Sequence, residues 1–442
     1  MKQHSFLTAL CLLFAAVPIT GQTIKSSMEF APSEHWVKPV EKPYREEICL
    51  NGTWAFAPVQ LPVGFKEGET PAPALPGVNE VTFSKTPIRI PSPWNVNSFA
   101  DKNGLGGDHR TYPSYPKEWE SIKMGWLQKK FTVPASWKGK RIQIHFEAVA
   151  GKTDIYVNGK AVGDNFDIFM PFDIDITDAV KFGQENTLNV GIQKSSLFDD
   201  RKSPLGRRTY QGGSFWGQHI AGIWQDVYLV ALPQTRVADV YIQPIVNKNT
   251  LEVEVTLRND ENKSVEVNIS AAAYPWISKA GKTVLTAANP SSQLGSQAAL
   301  QMPTQKVTIP AGKEIKTTLK TTVDNKLKLW SPSSPNLYGL VVKTSVNGKT
   351  NDSKYTRFGW RQTELKDGKF WLNGKPFVLK GDSWHYMGIP QMTRRYPWAW
   401  YTALRDANCN AVRLHAQPFP SFYLDVADEM DVFVFAQQCK RR

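Results

Sequence analysis

Two short segments near the carboxyl end of the sequence carry side chains that can bind a hydroxylated ligand. Asp382 and His385 stand in the first segment, and Arg413 and His415 stand in the second. A carboxylate can accept hydrogen bonds from two hydroxyl groups, an imidazole can polarise a hydroxyl, and a guanidinium can hold a carboxylate. The same four residues also suit a buried hydrogen-bond network that ties strands to loops. The sequence therefore offers substrate-binding candidates with two open interpretations, and it offers no catalytic residue.

The first of these segments follows a hairpin signal. Asn373 and Gly374 stand between the two apolar runs of FWLNGKPFVLKG, which is the pattern of a two-residue β-turn. We expect the second arm of this hairpin to become a strand, and we expect Asp382 and His385 to follow that strand.

The second segment belongs to an alternation of strands and helices. Apolar residues at helical spacing predict helices over 398–407 and 420–430, and short apolar runs predict strands around 412–414 and 432–435. Strands that alternate with helices pair in parallel through right-handed crossovers. Ligand pockets form at the carboxyl ends of such strands, so the candidate residues are expected on one pocket-forming face.

Most of the chain before these segments has the pattern of β-strands. Between residues 50 and 232, strands are predicted at TWAFAPV, GWLQKKFTVP, RIQIHFEAV, TDIYVNGKAVG, TLNVGIQ and IWQDVYLV. After Pro233 the pattern continues with VADVYIQPIV, TLEVEVTLRN, SVEVNISAAAY, KVTIP and EIKTTLKTTV. This spacing predicts a mostly β protein, with one antiparallel sandwich followed by a smaller one of immunoglobulin-like size.

The amino terminus has the pattern of an export signal. Lys2 precedes an apolar run over 6–17, and a small-residue site follows near Thr20 and Gly21. This order predicts a cleavable signal peptide over residues 1–21 and a secreted or periplasmic protein. The apolar run is too short for a membrane-spanning helix, so no membrane partner is expected after cleavage.

The cysteines predict neither a disulfide framework nor a metal site. Cys49, Cys409 and Cys439 follow the predicted signal, and they form an odd and sparse set for an oxidising compartment. No Cys/His pair has the spacing of zinc ligands. We therefore expect no metal and no cofactor.

Charge and aromatic content bear on the kind of partner. The formal net charge is +13, but the basic residues are spread along the chain, so a nucleic-acid surface is not expected. The 15 tryptophans suit stacking on sugar rings, and they equally suit sandwich cores and domain interfaces. The oligomeric state stays open, an oligomer included.

Seven motifs occur along the chain in the order found in one enzyme family. They are IPSPWN, GWLQKKFTVP, DIYVNGKAVG, PFDIDIT, GIWQDVYL, LWSPSSPNLY and RFGWRQTELKDGKFWLNGKPFVLKG. In these motifs and in their order the sequence resembles glycoside hydrolase family 2, the enzymes related to β-galactosidase, β-glucuronidase and β-mannosidase. The resemblance covers nearly the whole chain after the predicted signal.

The resemblance implies a fold and an activity. The fold is a jelly-roll sandwich over 22–233, an immunoglobulin-like β-sandwich over 234–362, and the first two to three β/α units of a (β/α)8 TIM barrel over 363–442. The activity is hydrolysis of terminal β-glycosidic bonds in an oligosaccharide or other β-glycoside. Family members retain the anomeric configuration through two glutamates about 5–5.5 Å apart. In the family these glutamates belong to the fourth and seventh barrel strands, which this sequence does not reach.

Other carboxylates are poor substitutes for these glutamates. Glu80 follows Asn79 as in the family motif, but no barrel strand precedes it. Asp428 and Glu429 are expected on the solvated face and in the last turn of the second helix. Asp199 and Asp200 stand in a long loop that approaches the pocket in similar enzymes, and their assignment rests on that likeness alone.

The sequence after the third predicted strand departs from the family pattern. Family members carry an acidic residue and a long loop there, whereas this chain reads AQQCKRR. We therefore expect a chain that is truncated early in its barrel and inactive as a glycosidase. Two alternatives stay open, which are a non-catalytic carbohydrate-binding protein built from the sandwiches and a gene remnant without function. The sequence names neither the sugar nor the linkage.

Overall fold

The computed structural model describes residues 35–66, 71–95, 115–198, 220–278, 292–385, 391, 394–415 and 418–436. Within them the chain forms two antiparallel β-sandwiches followed by a short α/β segment. The mostly β fold class is thereby confirmed, and three parallel strands with two helices are described where the first barrel units were expected. The predicted signal over 1–21 lies outside the described residues, and the domain boundaries stay predictions.

Two sheets make up the first sandwich. Its strands are β1 (Glu46–Cys49), β2 (Gly52–Val59), β3 (Ile88–Ile90), β4 (Met124–Thr132), β5 (Arg141–Phe146), β6 (Val149–Val157), β7 (Lys160–Asp167), β8 (Phe172–Asp175), β9 (Glu185–Gln193), β10 (Gly222–Ile223) and β11 (Val227–Leu232). One sheet has the order β1-β11-β5-β8, and the other has the order β10-β6-β9-β4-β2-β3 with β7 paired to β6.

Alternating side chains of the two sheets build the core between them. Ile142, Ile144 and Phe146 of β5 are completely buried in it, as the period of two in the sequence predicts. The β6–β7 hairpin turns at Asn158 and Gly159, with φ angles of 52° and 81°. Both values lie in the left-handed region that an Asn-Gly turn adopts readily.

The second sandwich follows directly. Its strands are β12 (Thr235–Ile245), β13 (Thr250–Asn259), β14 (Val265–Ser278), β15 (Ser292–Leu294), β16 (Leu300–Gln301), β17 (Gln305–Ile309), β18 (Glu314–Thr322), β19 (Trp330–Ser331), β20 (Ser334–Pro335), β21 (Leu337–Val346) and β22 (Lys349–Gly359). The sheet β12-β13-β18 faces the sheet β15-β14-β21-β22, in which β16 and β17 also pair with β14. Leu251, Val253 and Val255 of β13 are fully buried between the sheets.

A hairpin and three parallel strands end the described chain, and we call this part, from residue 363 to 436, the barrel segment. Their elements are β23 (Thr363–Lys366), β24 (Lys369–Leu372), β25 (Lys375–Pro376), β26 (Gly381–His385), α1 (Arg395–Asp406), β27 (Ala411–His415), α2 (Ser421–Glu429) and β28 (Phe433–Ala436). The strands pair in parallel in the order β26-β27-β28, with a helix between each pair. The alternation predicted from the sequence is therefore present, and the turn at Asn373 and Gly374 is also where it was predicted.

Polar and apolar contacts join the three parts. Arg45 of the first sandwich donates to both carboxylate oxygens of Asp352 in β22, at 2.9 and 2.7 Å, with both side chains almost fully buried. Trp224 of the first sandwich shares one buried apolar cluster with Tyr401 of α1 and Tyr423 of α2. In the described part of the chain, no helix has the length and apolar character needed to cross a bilayer.

Candidate functional site

The sheet of three parallel strands has two faces. One face packs against the helices, and we call the opposite face the inner face. Trp384, Val412 and Leu414 pack in the cluster that contains α1 and α2. Because side chains alternate along a strand, the inner face carries the other positions. These are Ser383 and His385 of β26, Ala411, Arg413 and His415 of β27, and Phe433 and Phe435 of β28.

Two histidines meet at the carboxyl end of the inner face. His385 and His415 occupy paired positions of β26 and β27, and their ring centroids are 4.2 Å apart with the rings at 74°. Both residues are partly exposed. The backbone beside them is tied to α2, because Gln391 donates its side-chain amide to the carbonyl of His385 at 3.1 Å and accepts at its own carbonyl from the Tyr423 hydroxyl at 2.8 Å.

Arg413 belongs to the same face, one pleat before His415. It pairs in register with Ser383 and Phe435, and it is exposed. An exposed guanidinium beside two imidazoles offers hydrogen-bond donors to a hydroxylated or carboxylate-bearing ligand. Three of the four sequence-predicted binding residues are therefore brought together.

Asp382 is not brought together with the other three. We expected it to follow the first strand together with His385, but both residues lie within β26, and alternation places Asp382 on the side of Trp384. The strand begins later than the apolar run suggests, since Val378 of that run is 71% exposed. Gly381 opens the strand because it packs directly against the backbone of Ala411, where a Cβ atom does not fit.

The opposite end of the inner face is covered by the hairpin β23–β25. The ring of Phe370 in β24 lies 5.1 Å from that of Phe433 and 6.0 Å from that of Phe435. This aromatic contact covers the amino-terminal part of the inner face. The two partly exposed histidines lie at the other end, the carboxyl end of the strands.

A charged cluster behind the sheet was missed by the sequence reasoning. Arg357 of β22 donates to Glu429 at 2.9 Å and to Asp425 at 2.7 Å, and Arg394 donates to Glu429 from the other side at 2.6 Å. The side chain of Glu429 is 3% exposed, so the expected solvated position of this residue was wrong. Asp428 is partly exposed and accepts from Arg361 at 3.3 Å.

Burial and ion pairing act in opposite directions on the charges of this cluster. Burial raises the pKa of Glu429, although Arg394 and Arg357 act to lower it. Burial alone would lower the pKa of Arg357, but the carboxylates of Asp425, Asp428 and Glu429 raise it. The guanidinium also lies 4.9 Å from the centre of the Trp276 ring. The cluster therefore holds α2, and with it the strands on either side, against the second sandwich.

Carboxylates suited to catalysis do not occur on the described inner face. Its positions in β26, β27 and β28, Gly381 included, hold no Asp or Glu. Glu80 ends a short 3-10 helix of the first sandwich and is exposed. Asp199 and Asp200 lie outside the described residues.

Among the residues described, no group of three or more His, Cys, Asp or Glu side chains is arranged to hold a metal ion.

The described cysteines are free thiols. Cys49 and Cys409 are both partly buried and unbonded to each other. Burial raises the pKa of Cys49 to about 11, which keeps it protonated at neutral pH. Cys439 lies outside the described residues.

Two family models match most of the chain. The model described as the sugar binding domain of glycosyl hydrolases family 2 matches residues 48–233, and the model described as glycosyl hydrolases family 2 matches residues 235–361. Together they cover both sandwiches.

Named enzymes of two kinds are similar in sequence. A β-galactosidase of Thermoanaerobacter pseudethanolicus is 28% identical over 344 residues, which are 74% of this chain and 41% of that protein. A β-glucuronidase of Formosa agariphila is 28% identical over 361 residues, which are 76% of this chain and 33% of that protein. The chain thus spans between a third and about two-fifths of the length of these relatives.

Solved structures show the same fold. The Bacteroides uniformis β-glucuronidase 2, covalently bound to cyclophellitol-6-carboxylate aziridine, superposes with a TM-score of 0.64 at 20% identity, covering 89% of this chain and 42% of that one. The β-glucuronidase of Ruminococcus gnavus in complex with D-glucuronic acid gives a TM-score of 0.61 at 19% identity, covering 91% and 61%. At these sequence identities the likeness shows the fold alone.

Proposed function

The chain belongs to glycosyl hydrolases family 2, and from that premise we propose that it serves the hydrolysis of terminal β-glycosides by a retaining mechanism. The relatives named β-galactosidase and β-glucuronidase support this reaction class. They do not distinguish between the two sugars, so the proposal extends to the class of β-glycosides and not to one sugar.

The observation that carries the proposal is the pairing of His385 with His415 at the carboxyl end of the parallel strands, beside Arg413. In barrel enzymes the carboxyl ends of the strands form the active site. Imidazole and guanidinium groups there can bind sugar hydroxyls and orient a carboxylate. These three residues are therefore proposed as the floor of the glycoside pocket, with binding and positioning roles.

The bond-breaking groups of a retaining enzyme are two carboxyl groups about 5–5.5 Å apart. The described carboxylates of the barrel segment that come near each other, Asp425, Asp428 and Glu429, are bound to arginines behind the sheet. We therefore propose that the 442 residues alone bind β-glycosides weakly and do not hydrolyse them. In this proposal the two glutamates belong to further barrel strands, as they do in the family.

Export is part of the proposal. It is supported by Lys2, by the apolar run over 6–17 and by the small residues near Gly21. Detection of the protein in the periplasm or medium, with its amino terminus beginning near residue 22, would support it. A cytoplasmic protein that retains Lys2 would contradict it.

Turnover assays test the catalytic part. The purified chain is incubated with nitrophenyl β-galactoside, β-glucuronide and β-mannoside, and we expect no release of nitrophenol above that of a mock preparation. If nitrophenol is released and a single Asp or Glu substitution within the chain abolishes that release, the chain itself contains a catalytic carboxylate. The family assignment itself does not depend on this outcome.

A further inference from the structure

A second concave site lies on the first sandwich, and its lining includes none of the described residues after 363. It is a groove of about 890 Å³ between the outer face of the larger sheet and the segment 72–83. Small-molecule sites usually measure roughly 300–1,000 Å³, so the groove has room for a short oligosaccharide.

The sheet supplies a platform with regular rows of polar and aromatic side chains. Tyr156 of β6 pairs with Asn189 of β9, which pairs with Gln128 of β4, and Asp154 lies one pleat away on β6. The intervening residues of these strands, such as Ile155 and Val190, are fully buried in the sandwich core. The polar rows therefore face away from the core, toward the groove.

One glycine allows the groove to be covered. A Cβ atom at Gly191 would lie 2.8 Å from the ring of Trp126 and 2.5 Å from Leu75, so the indole and the covering segment rest directly on this position. The indole nitrogen of Trp126 donates to the carbonyl of Pro76 at 2.8 Å, which fixes the covering segment above the sheet. The result is a walled groove instead of an open sheet face.

The groove keeps polar atoms available. Gln128 donates to the side-chain oxygen of Asn189 at 2.9 Å, and Lys152 donates to one oxygen of Asp154 at 2.6 Å. Among the described residues, the Tyr156 hydroxyl, the second carboxylate oxygen of Asp154 and the side-chain NH2 group of Asn189 have no protein hydrogen-bond partner. These atoms offer a carboxylate acceptor, amide donors and a phenol. The ring of Tyr156 meets that of Trp126 edge-to-face, with the ring centroids 5.7 Å apart.

We propose that this groove is a non-catalytic binding site for a neutral oligosaccharide. The ring of Tyr156 would pack against the C–H face of a sugar, as aromatic rings do with apolar surfaces, while Asp154 and Asn189 bind its hydroxyl groups. A neutral ligand is favoured over an acidic one because Lys152, the cation of the groove, is already paired with Asp154. The site belongs to the first sandwich alone and does not depend on the proposed hydrolysis.

Titration calorimetry with the full chain tests this site. The probes are neutral β-1,4-linked trisaccharides of glucose, galactose and mannose, with glucuronic acid as the acidic comparison. We expect at least one trisaccharide to bind at one site per chain with a Kd of about 1 mM or tighter, a range typical of a few polar contacts. Glucuronic acid should bind more weakly than that trisaccharide.

Variants then locate the binding. Tyr156→Ala and Asp154→Asn should each weaken it about tenfold, which corresponds to roughly 1.4 kcal/mol. The control is Tyr241→Ala, which removes a 57% exposed tyrosine of the second sandwich and should leave the Kd unchanged. If circular dichroism shows that Tyr156→Ala is unfolded, the Kd of the nearly isosteric Asp154→Asn tests the proposal.

Three results would overturn the proposal. The first is the absence of heat with all three trisaccharides. The second is an unchanged Kd in folded Asp154→Asn. The third is a trisaccharide that no longer binds to His415→Ala but still binds to Tyr156→Ala. Its binding site would then lie in the barrel segment and not in the groove.

Discussion

Arg357 of the second sandwich donates a hydrogen bond to Glu429 of helix α2 at 2.9 Å, with the side chains 10% and 3% exposed. The contact joins two parts of the chain that share no sheet. Arg394 holds the same carboxylate from the start of α1. The orientation of the parallel strands, and so of His385 and His415, depends on this buried charged contact.

Replacing Arg357 by alanine should loosen the barrel segment. The change removes an arginine partner from the buried Glu429 and from the partly exposed Asp425. Breaking a buried ion pair typically costs about 3–5 kcal/mol. We expect a lower unfolding temperature and rapid proteolysis after residue 363, with both sandwiches intact. Limited trypsin digestion followed by mass spectrometry measures the effect.

The matched control for this experiment is Lys316→Ala. Lys316 pairs with Glu254 at 2.7 Å, but the lysine side chain is 63% exposed, so its loss should change stability little. Equal protease resistance of Arg357→Ala and Lys316→Ala would show that the cluster does not hold the barrel segment.

His145 should make stability depend on pH above neutrality. Burial alone would lower the pKa of His145, but its hydrogen bond with Asp173 at 2.7 Å and the negative charge of Glu147 at 3.4 Å raise it to about 9. Because the folded state binds this proton more tightly than the unfolded state, the contribution is complete below about pH 6.5 and disappears as the pH rises through 9. The full loss is about 3 kcal/mol.

Urea unfolding of the wild type and of His145→Gln at pH 6.5 and pH 9 measures this effect. The wild type should lose more stability between the two values than the variant, since glutamine does not titrate. Parallel losses in both proteins would assign the pH dependence to other groups.

Replacing Gly191 by alanine should damage the groove of the first sandwich. The added methyl group meets Trp126 and Leu75, so the indole or the covering segment has to move, at a cost of about 1–3 kcal/mol. Gly77→Ala is the control in the same groove, because its methyl group would meet only the flexible end of Glu80. Near-UV circular dichroism should change for Gly191→Ala and stay unchanged for Gly77→Ala. The reverse order would contradict the described packing.

The sequence predicted features that depend on neighbouring residues. The Asn-Gly turns at 158–159 and 373–374 are local, because the left-handed conformation is easy for these residues. The alternating strands of both sandwiches and the two helices of the barrel segment also follow from spacing. Their positions could therefore be found without knowing their partners.

Features that depend on distant partners were not predictable in the same way. The start of β26 is fixed by pairing with Ala411, so the side of the sheet that Asp382 occupies could not be read from the local pattern. Arg357 lies 72 residues before Glu429, and the polar strand β22 indicated the partner of neither Asp352 nor Arg357, whose side chains are 0% and 10% exposed. A charged residue beside the apolar positions of RFGWRQ was the one available hint.

The central claim is that His385 and His415 form the floor of a glycoside pocket. The sequence contains 7 histidines, so ring resonances can be resolved by NMR and assigned with His385→Gln and His415→Gln. On titration with phenyl β-galactoside, β-glucuronide and β-mannoside, we predict that at least one ligand shifts both resonances together. The His145 resonance should stay in place, and the shifts should persist in Asp382→Asn. No shift with any of the three ligands, or shifts confined to other histidines, would contradict the account.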